Sequence, residues 1–194
     1  MKFIIEFLKN LFKKAPESKL GKGGVPNPPD SRDYDWSEVG SASPPFNWNV
    51  GYDIEKELGF PIKTKNQGQS LSCGGQAFSY YGEVLEALNT ANYEPRSAKF
   101  LYAQTFYPNG GSTARDNASI AIKQGWAKET ILPSYENGLT PSEAFVTKVS
   151  DITDAVRQDA STAKGYLYAH ANPTIDIVAQ VVRDNQGAVK PPFG

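Results

Sequence analysis

The clearest hydrophobic pattern in the chain follows Cys73. Apolar and aromatic residues there recur at the spacing of one helix face, at Ala77, Tyr80, Tyr81, Val84 and Leu88. Ser72, just before this pattern, is a residue type that caps helix N-termini. The sequence therefore predicts a helix with Ser72 as its N-cap and Cys73 as its first residue.

Two more helices are predicted from cap and stop residues. One begins near Thr113, has Asp116 three residues later in the manner of a capping box, and ends at Gly125. The other begins at the string 140–143, Thr-Pro-Ser-Glu. That string offers a cap, a proline at the first helical position and an acid three residues on.

The last predicted helix begins at Asn172-Pro173 and ends at Gly187. Its buried stripe is formed by Ile175, Val178, Ala179 and Val182. Strands are poorly marked by the pattern, and residues 166–169 and 188–189 are the candidates. Helices and sparse strands together favour a mixed α+β fold.

Residues 1–14 have an amphipathic pattern of their own. Glu6 and Lys9 interrupt any run that could serve as a signal-peptide core, and the stretch is too short to span a bilayer. The pattern suits a helix at a membrane surface, a helix docked on its own domain, or a removable pro-segment. We expect one of the last two.

Composition places one globular domain after a linker. Residues 15–35 are rich in Pro, Gly and Ser, which predicts a linker, and residues 36–194 form the predicted domain. The 17 glycines and 14 prolines among 194 residues favour many loops over a helix bundle. With a net charge of -1 and no basic face or tail, the chain is not expected to bind nucleic acid.

The single cysteine, Cys73, excludes an intrachain disulfide, so the fold does not require an oxidising compartment. Localisation is otherwise left open. A lone cysteine is usually a small buried hydrophobe, but a helix N-terminus favours the reactive thiolate. Gln67, in an Asn-Gln-Gly string upstream, could donate a hydrogen bond to an oxyanion, together with the Cys73 N–H. A Gln-Gly pair also fits an ordinary turn.

These residues stand in a recognisable order. Asn-Gln-Gly at 66–68, followed by Ser72-Cys73 at a helix start, resembles the active-site region of the papain-like cysteine peptidases. The resemblance implies that Cys73 is the nucleophile and Gln67 the oxyanion-hole glutamine. Asn-Gly-Gly at 109–111 resembles a second family motif, which implies that Gly110 and Gly111 contact the substrate. Ser72, next to the implied nucleophile, is expected to contact the substrate as well. Further similar stretches extend the match over about residues 28–190: 29–34, 125–126 and 133–138.

The family resemblance implies a helical lobe that carries the nucleophile and a strand-rich second lobe. Four positions depart from the family pattern. Ser70 and Pro108 stand where the family often has a pair of bonded cysteines, Gly74 replaces a tryptophan and Leu71 replaces a glycine. The exchange of both cysteines together is what a correct alignment in a reducing compartment would give.

The catalytic histidine of the family has no counterpart in its expected place. The one histidine, His170, precedes the last predicted helix, whereas the family's histidine follows the next strand. We therefore expect a domain cut short before the catalytic His and Asn, with an incomplete second lobe.

Three functions remain open at this stage. The first is a cysteine-type peptidase that acts on peptide or protein substrates without a cofactor or metal. The second is a papain-like binding or scaffold module without catalysis. The third is half of a split peptidase, completed by another chain or by a second copy.

Overall fold

The computed structural model describes residues 23–30, 44–138, 140–164 and 176. Predictions outside them are the segment 1–14, most of the last helix with its apolar stripe, His170, and both candidate strands. The described residues are mainly helical, with a small sheet. In chain order the elements are β1 (Gly24–Val25), α1 (Ile54–Leu58), α2 (Cys73–Thr90), α3 (Ala98–Thr105), β2 (Ser112–Thr113), α4 (Ala114–Lys123), α5 (Glu143–Val146) and α6 (Asp154–Ala160), with 3-10 turns at Glu136–Gly138 and Val149–Asp151.

Helix α2 begins at Cys73, as the sequence predicts, but it buries a face of small and polar residues. A β-carbon on Gly75 would lie 2.7 Å from the Ala98 carbonyl oxygen, and one on Gly82 would lie 2.7 Å from the ring of Trp126. These glycines let α3 and Trp126 approach the axis of α2 closely. Tyr81, in the apolar pattern that predicted the helix, is exposed instead.

The core forms where α3, α4 and α6 meet. Ser97 caps α3 by accepting a 3.1 Å hydrogen bond from the Phe100 N–H, and nearly all of α3 is buried. The Trp126 indole donates to the Phe78 carbonyl of α2, which ties that helix to the cluster. The buried cluster consists of Phe100, Leu101, Ala103, Ala121, Trp126, Ala127, Leu132, Ile152, Val156 and Ala160.

Helix α4 follows its predicted boundaries. The Thr113 hydroxyl accepts a 3.1 Å hydrogen bond from the Asp116 N–H and donates one of 2.6 Å to the Asp116 carboxylate. The helix ends at Lys123, and Gly125 then takes a φ of +94°. This start was predictable because both capping partners lie within one helical turn.

The helix predicted from the string 140–143 starts later than expected. Its cap is Ser142, which accepts a 3.3 Å hydrogen bond from the Phe145 N–H, and α5 has only four residues. The Ser142 backbone is extended, with ψ at 156°, so no helix can run through it from Pro141. The proline therefore lies outside the helix.

Strand β1 lies inside the segment that composition identified as a linker. It pairs in parallel with β2, and Gly24 is opposite Ser112. Parallel pairing of such short strands has little stability of its own. Within the described ranges, no helix combines the length and apolar content needed to cross a bilayer.

Candidate active site

Cys73 opens α2 and is partly exposed. Ser72 takes the N-cap position, but its side chain makes no capping hydrogen bond. Its φ and ψ of -84° and 18° are not those of an extended cap residue, and its buried hydroxyl pairs with that of Ser70 at 2.7 Å. The predicted cap position is therefore correct, but the Ser72 hydroxyl bonds to the Ser70 hydroxyl and accepts from the Gln76 side chain at 3.5 Å, rather than capping the helix backbone.

The Asn-Gln-Gly string forms a tight turn next to this loop. The Gly68 N–H donates to the Asn66 side chain at 2.9 Å, and Gly68 has a φ of +57°. The Gln67 side-chain amide donates to the Ser70 carbonyl at 3.1 Å, and the Gln67 carbonyl accepts from the Ser70 hydroxyl. Gln67 is thereby fixed against the segment that leads to Cys73.

The two glycines of the Asn-Gly-Gly string face different neighbours. Both have positive φ, 82° at Gly110 and 79° at Gly111. A β-carbon on Gly110 would overlap the Leu71 side chain, whereas one on Gly111 would overlap the main chain of Gly23. Gly110 thus packs against Leu71, and Gly111 packs against the main chain of Gly23, the residue before β1.

An extended piece of the chain lies across the thiol. The Ser112 N–H donates to the Gly23 carbonyl at 2.9 Å, and a β-carbon on Gly24 would lie 3.8 Å from Cys73 Sγ. Beyond the strand, the Arg115 N–H donates to the Asn27 side chain and the Arg115 guanidinium to the Pro28 carbonyl. The groove next to Cys73 is therefore already shaped around a peptide backbone.

A carboxylate connects both sides of this groove. Glu143 accepts a 2.6 Å hydrogen bond from the Leu71 N–H through one oxygen and another of 2.6 Å from the Tyr102 hydroxyl through the other. The Tyr102 oxygen accepts in turn from the Gly111 N–H at 2.9 Å. Burial and the bond to Glu143 raise the pKa of Tyr102 well above its ordinary value. Its hydroxyl therefore stays protonated and donates a hydrogen bond to Glu143.

The fold matches that of a cysteine protease. The crystal structure of xylellain, a cysteine protease from Xylella fastidiosa, is similar to this chain with a TM-score of 0.61 and 20% sequence identity. The match covers 86% of this chain and 64% of that one, so this chain spans less than two thirds of xylellain. No family model and no curated protein matches the sequence. At this identity the likeness to xylellain concerns the fold, and it agrees with the papain-like resemblance of the motifs.

Gly74 has a packing role in this fold. A β-carbon there would lie 2.6 Å from the Ser112 hydroxyl and 2.8 Å from the Asn117 amide. Asn117 itself donates to the Ser112 hydroxyl and to the Thr113 carbonyl, which holds β2 at the start of α4. A larger residue at position 74 would push the thiol end of α2 away from β2.

The described residues supply a thiol, amide donors and a peptide groove, and they contain no histidine. Sequence reasoning missed two parts of the site. Glu143 was interpreted only as an acid near a helix start, and Gly23 with strand β1 only as part of the linker. Neither has a local signal, because the partners of each lie far away in the chain.

Proposed function

We propose that this chain is a papain-like cysteine peptidase domain with Cys73 as its nucleophile. The observation that carries the proposal is the extended strand β1, which places a peptide backbone against the Cys73 thiol at the start of α2. In this proposal the described helices belong to the helical lobe of an α+β papain-like fold. The strand-rich lobe would come from residues outside the described ranges or from another chain.

The proposed reaction is acyl transfer through a thioester. The Cys73 thiolate attacks the carbonyl carbon of a peptide bond. The Gln67 amide and the Cys73 N–H stabilise the oxyanion. An imidazole takes the thiol proton and delivers it to the leaving amine. Water then cleaves the thioester, which releases the acid and restores the thiol.

The imidazole is the component that the described residues lack. His170 is the one histidine of the sequence and lies outside them. The family's histidine follows a later strand, so the proposal does not assign the imidazole to His170.

An epoxide-type cysteine-peptidase inhibitor tests the proposal. Labelling of the full chain at neutral pH is measured by intact mass, with Cys73→Ala to assign the adduct and the same chain in denaturant as the free-thiol reference. We expect saturable labelling that is faster in the folded protein than in denaturant once the strand over the thiol is released, as in Asn27→Ala. Asn27→Ala is measured in parallel, because loss of the hydrogen bond from the Arg115 N–H weakens the attachment of the strand that covers the thiol. Comparison with the wild type shows whether slow labelling comes from a covered thiol or from a thiol that is not activated. Folded-state labelling of both proteins no faster than in denaturant would refute activation of the thiol in this chain.

A second candidate is a peptide-binding module without catalysis. It is favoured by the occupied groove and by the absence of a histidine from the described part of the chain. Slow epoxide labelling, combined with saturable protection of Cys73 by added peptides, would select this function over the peptidase.

A further inference from the structure

The groove next to Cys73 has one position with no room for a side chain. At Gly23 a β-carbon would overlap the carbonyl group and the α-carbon of Leu71. On the opposite side, the main chain of Gly23 touches Gly111 so closely that a β-carbon on Gly111 would overlap it. Gly23 is therefore enclosed between two stretches of main chain, and it is buried although its neighbour Gly24 is exposed.

Both sides of this position are held rigidly. Glu143 binds the Leu71 N–H, and Tyr102, which is fully buried, binds the Gly111 N–H. The Glu143–Tyr102 hydrogen bond links the two sides. Main-chain atoms cannot rotate away as a flexible side chain would, and hydrogen bonds to a charged carboxylate are among the stronger ones in proteins. The space for Gly23 thus cannot widen without breaking this network.

The next position is different. At Gly24 the nearest atom to a β-carbon is Cys73 Sγ at 3.8 Å, which is an ordinary van der Waals contact. A methyl group is accommodated there without movement of the main chain. The groove therefore distinguishes two adjacent residues of a bound peptide, of which one must be glycine and the other can carry a small side chain over the thiol.

We propose that this groove selects peptides of the type glycine–small residue, with the glycine enclosed between Leu71 and Gly111. In the structure the groove is occupied by Gly23-Gly24 of this chain, which fits this type. The inference rests on the proposed function, since it specifies the peptide class for the same thiol site. It concerns peptide binding, so it is tested without turnover.

The first experiment compares two matched substitutions in the full chain. The alkylation rate of Cys73 by iodoacetamide is measured by intact mass for the wild type, Gly23→Ala and Gly24→Ala. The alanine methyl group would overpack against the main chain of Leu71, so Gly23→Ala should release β1 and raise the rate about tenfold. Gly24→Ala should keep the wild-type rate or lower it. Equal rates for the two variants would overturn the proposal.

The second experiment adds peptides to the protein with the vacated groove. Acetylated and amidated Gly-Gly-Val-Pro, Gly-Ala-Val-Pro and Ala-Gly-Val-Pro are each titrated to about 10 mM, because a tethered segment acts at millimolar effective concentration. The first two peptides should protect Cys73 from iodoacetamide, and the third should not. Protection by all three, or by none, would contradict the proposed selection.

A control variant keeps the test valid if Gly23→Ala does not fold. Asn27→Ala removes an exposed anchor of the strand outside the core, and the same peptides are then titrated against it. Iodoacetamide alkylates any accessible thiol, so an unactivated Cys73 would not hide the peptide preference. If epoxide labelling fails but the peptide preference is observed, the peptidase proposal alone is refuted. If epoxide labelling succeeds but the peptides show no preference, the proposed selection for glycine alone is refuted.

Discussion

Glu143 accepts a 2.6 Å hydrogen bond from the backbone N–H of Leu71, which lies 72 residues earlier in the chain. The bond joins the loop before Cys73 to the start of α5. Through the other carboxylate oxygen the same residue reaches Tyr102, and through Tyr102 the glycine loop at 110–111. One side chain thus sets the distance between the two sides of the peptide groove.

Glu143→Gln should weaken this arrangement. The glutamine side chain keeps one oxygen that can accept from the Leu71 N–H. Its NH₂ group cannot accept the hydrogen bond from the Tyr102 hydroxyl. We expect the free energy of unfolding to fall by about 1–3 kcal/mol, as measured by urea denaturation. The same exchange at Glu136, an exposed residue that accepts from the Ser142 hydroxyl, serves as the matched control and should have little effect. Equal losses at both positions would contradict a special role for Glu143.

Gly74→Ala should destabilise the protein even though alanine is the better helix former. The gain in helix propensity is about 1 kcal/mol, but the new β-carbon would lie 2.6 Å from the Ser112 hydroxyl and 2.8 Å from the Asn117 amide. Overpacking of this kind costs about 1–3 kcal/mol, so a net loss is expected in thermal or urea unfolding. Asn89→Ala, at an exposed site of the same helix, should be neutral or stabilising. A stabilised Gly74→Ala protein would show that β2 can move to make room for the methyl group.

Asp151 should make stability depend on acid pH. The hydrogen bond from Lys99 lowers the pKa of Asp151 below 3.8, and Lys148 adds to this effect. A lowered folded-state pKa means that the contribution is complete above pH 3.8 and is lost as the pH falls through the folded-state pKa. Asp151→Asn should therefore be less stable than the wild type at pH 7, and the gap should close in strong acid.

The size of the Asp151 effect follows from Lys99, whose side chain is only 1% exposed. Removal of its charged partner should cost about 1–3 kcal/mol at pH 7. Lys148→Ala removes the other, exposed partner and should cost less, because exposed ion pairs contribute little. Urea denaturation of the three proteins at several pH values measures both effects. A gap for Asp151→Asn that is constant across pH would exclude the ion pair as its cause.

Tyr102 should act at the opposite end of the pH scale. Burial, and then its hydrogen bond to Glu143, raise its pKa above 10.0. A raised folded-state pKa means that this contribution is present below pH 10 and is lost as the pH rises towards the folded-state pKa. Tyr102→Phe should be less stable than the wild type at pH 7, and its unfolding free energy should decline less above pH 10. If the unfolding free energies of the wild type and Tyr102→Phe decline equally above pH 10, the alkaline effect belongs to other tyrosines.

Local signals in the sequence predicted the parts of the fold whose partners are close in the chain. Thr113 and Asp116 cap α4 as expected, and Cys73 opens α2. The apolar pattern after Cys73 located that helix correctly but not its buried face, because Gly75 and Gly82 carry no hydrophobic signal. Their burial depends on Ala98 and Trp126, which only tertiary packing brings near.

The site was predictable in its residues more than in its geometry. Motif resemblance singled out Cys73, Gln67, Gly110 and Gly111, and their chemical roles remain predictions. The structure adds contacts that no local pattern encodes. Leu71, noted in the sequence only as a departure from a family glycine, packs against Gly110 and supplies main chain to the groove. Glu143 and Gly23 act through neighbours that are distant in sequence.

The pairing of β1 with β2 also bears on the order of folding. Helices α2, α3 and α4 follow one another closely, so they can assemble through local contacts. The strand is held by partners such as Arg115, 88 residues from Asn27, and closing so long a loop is slow and entropically unfavourable. During synthesis the strand therefore leaves the ribosome early but docks late. Until then β1 does not cover Cys73, so we expect the thiol of the newly made chain to react with oxidants more readily than the thiol of the folded protein.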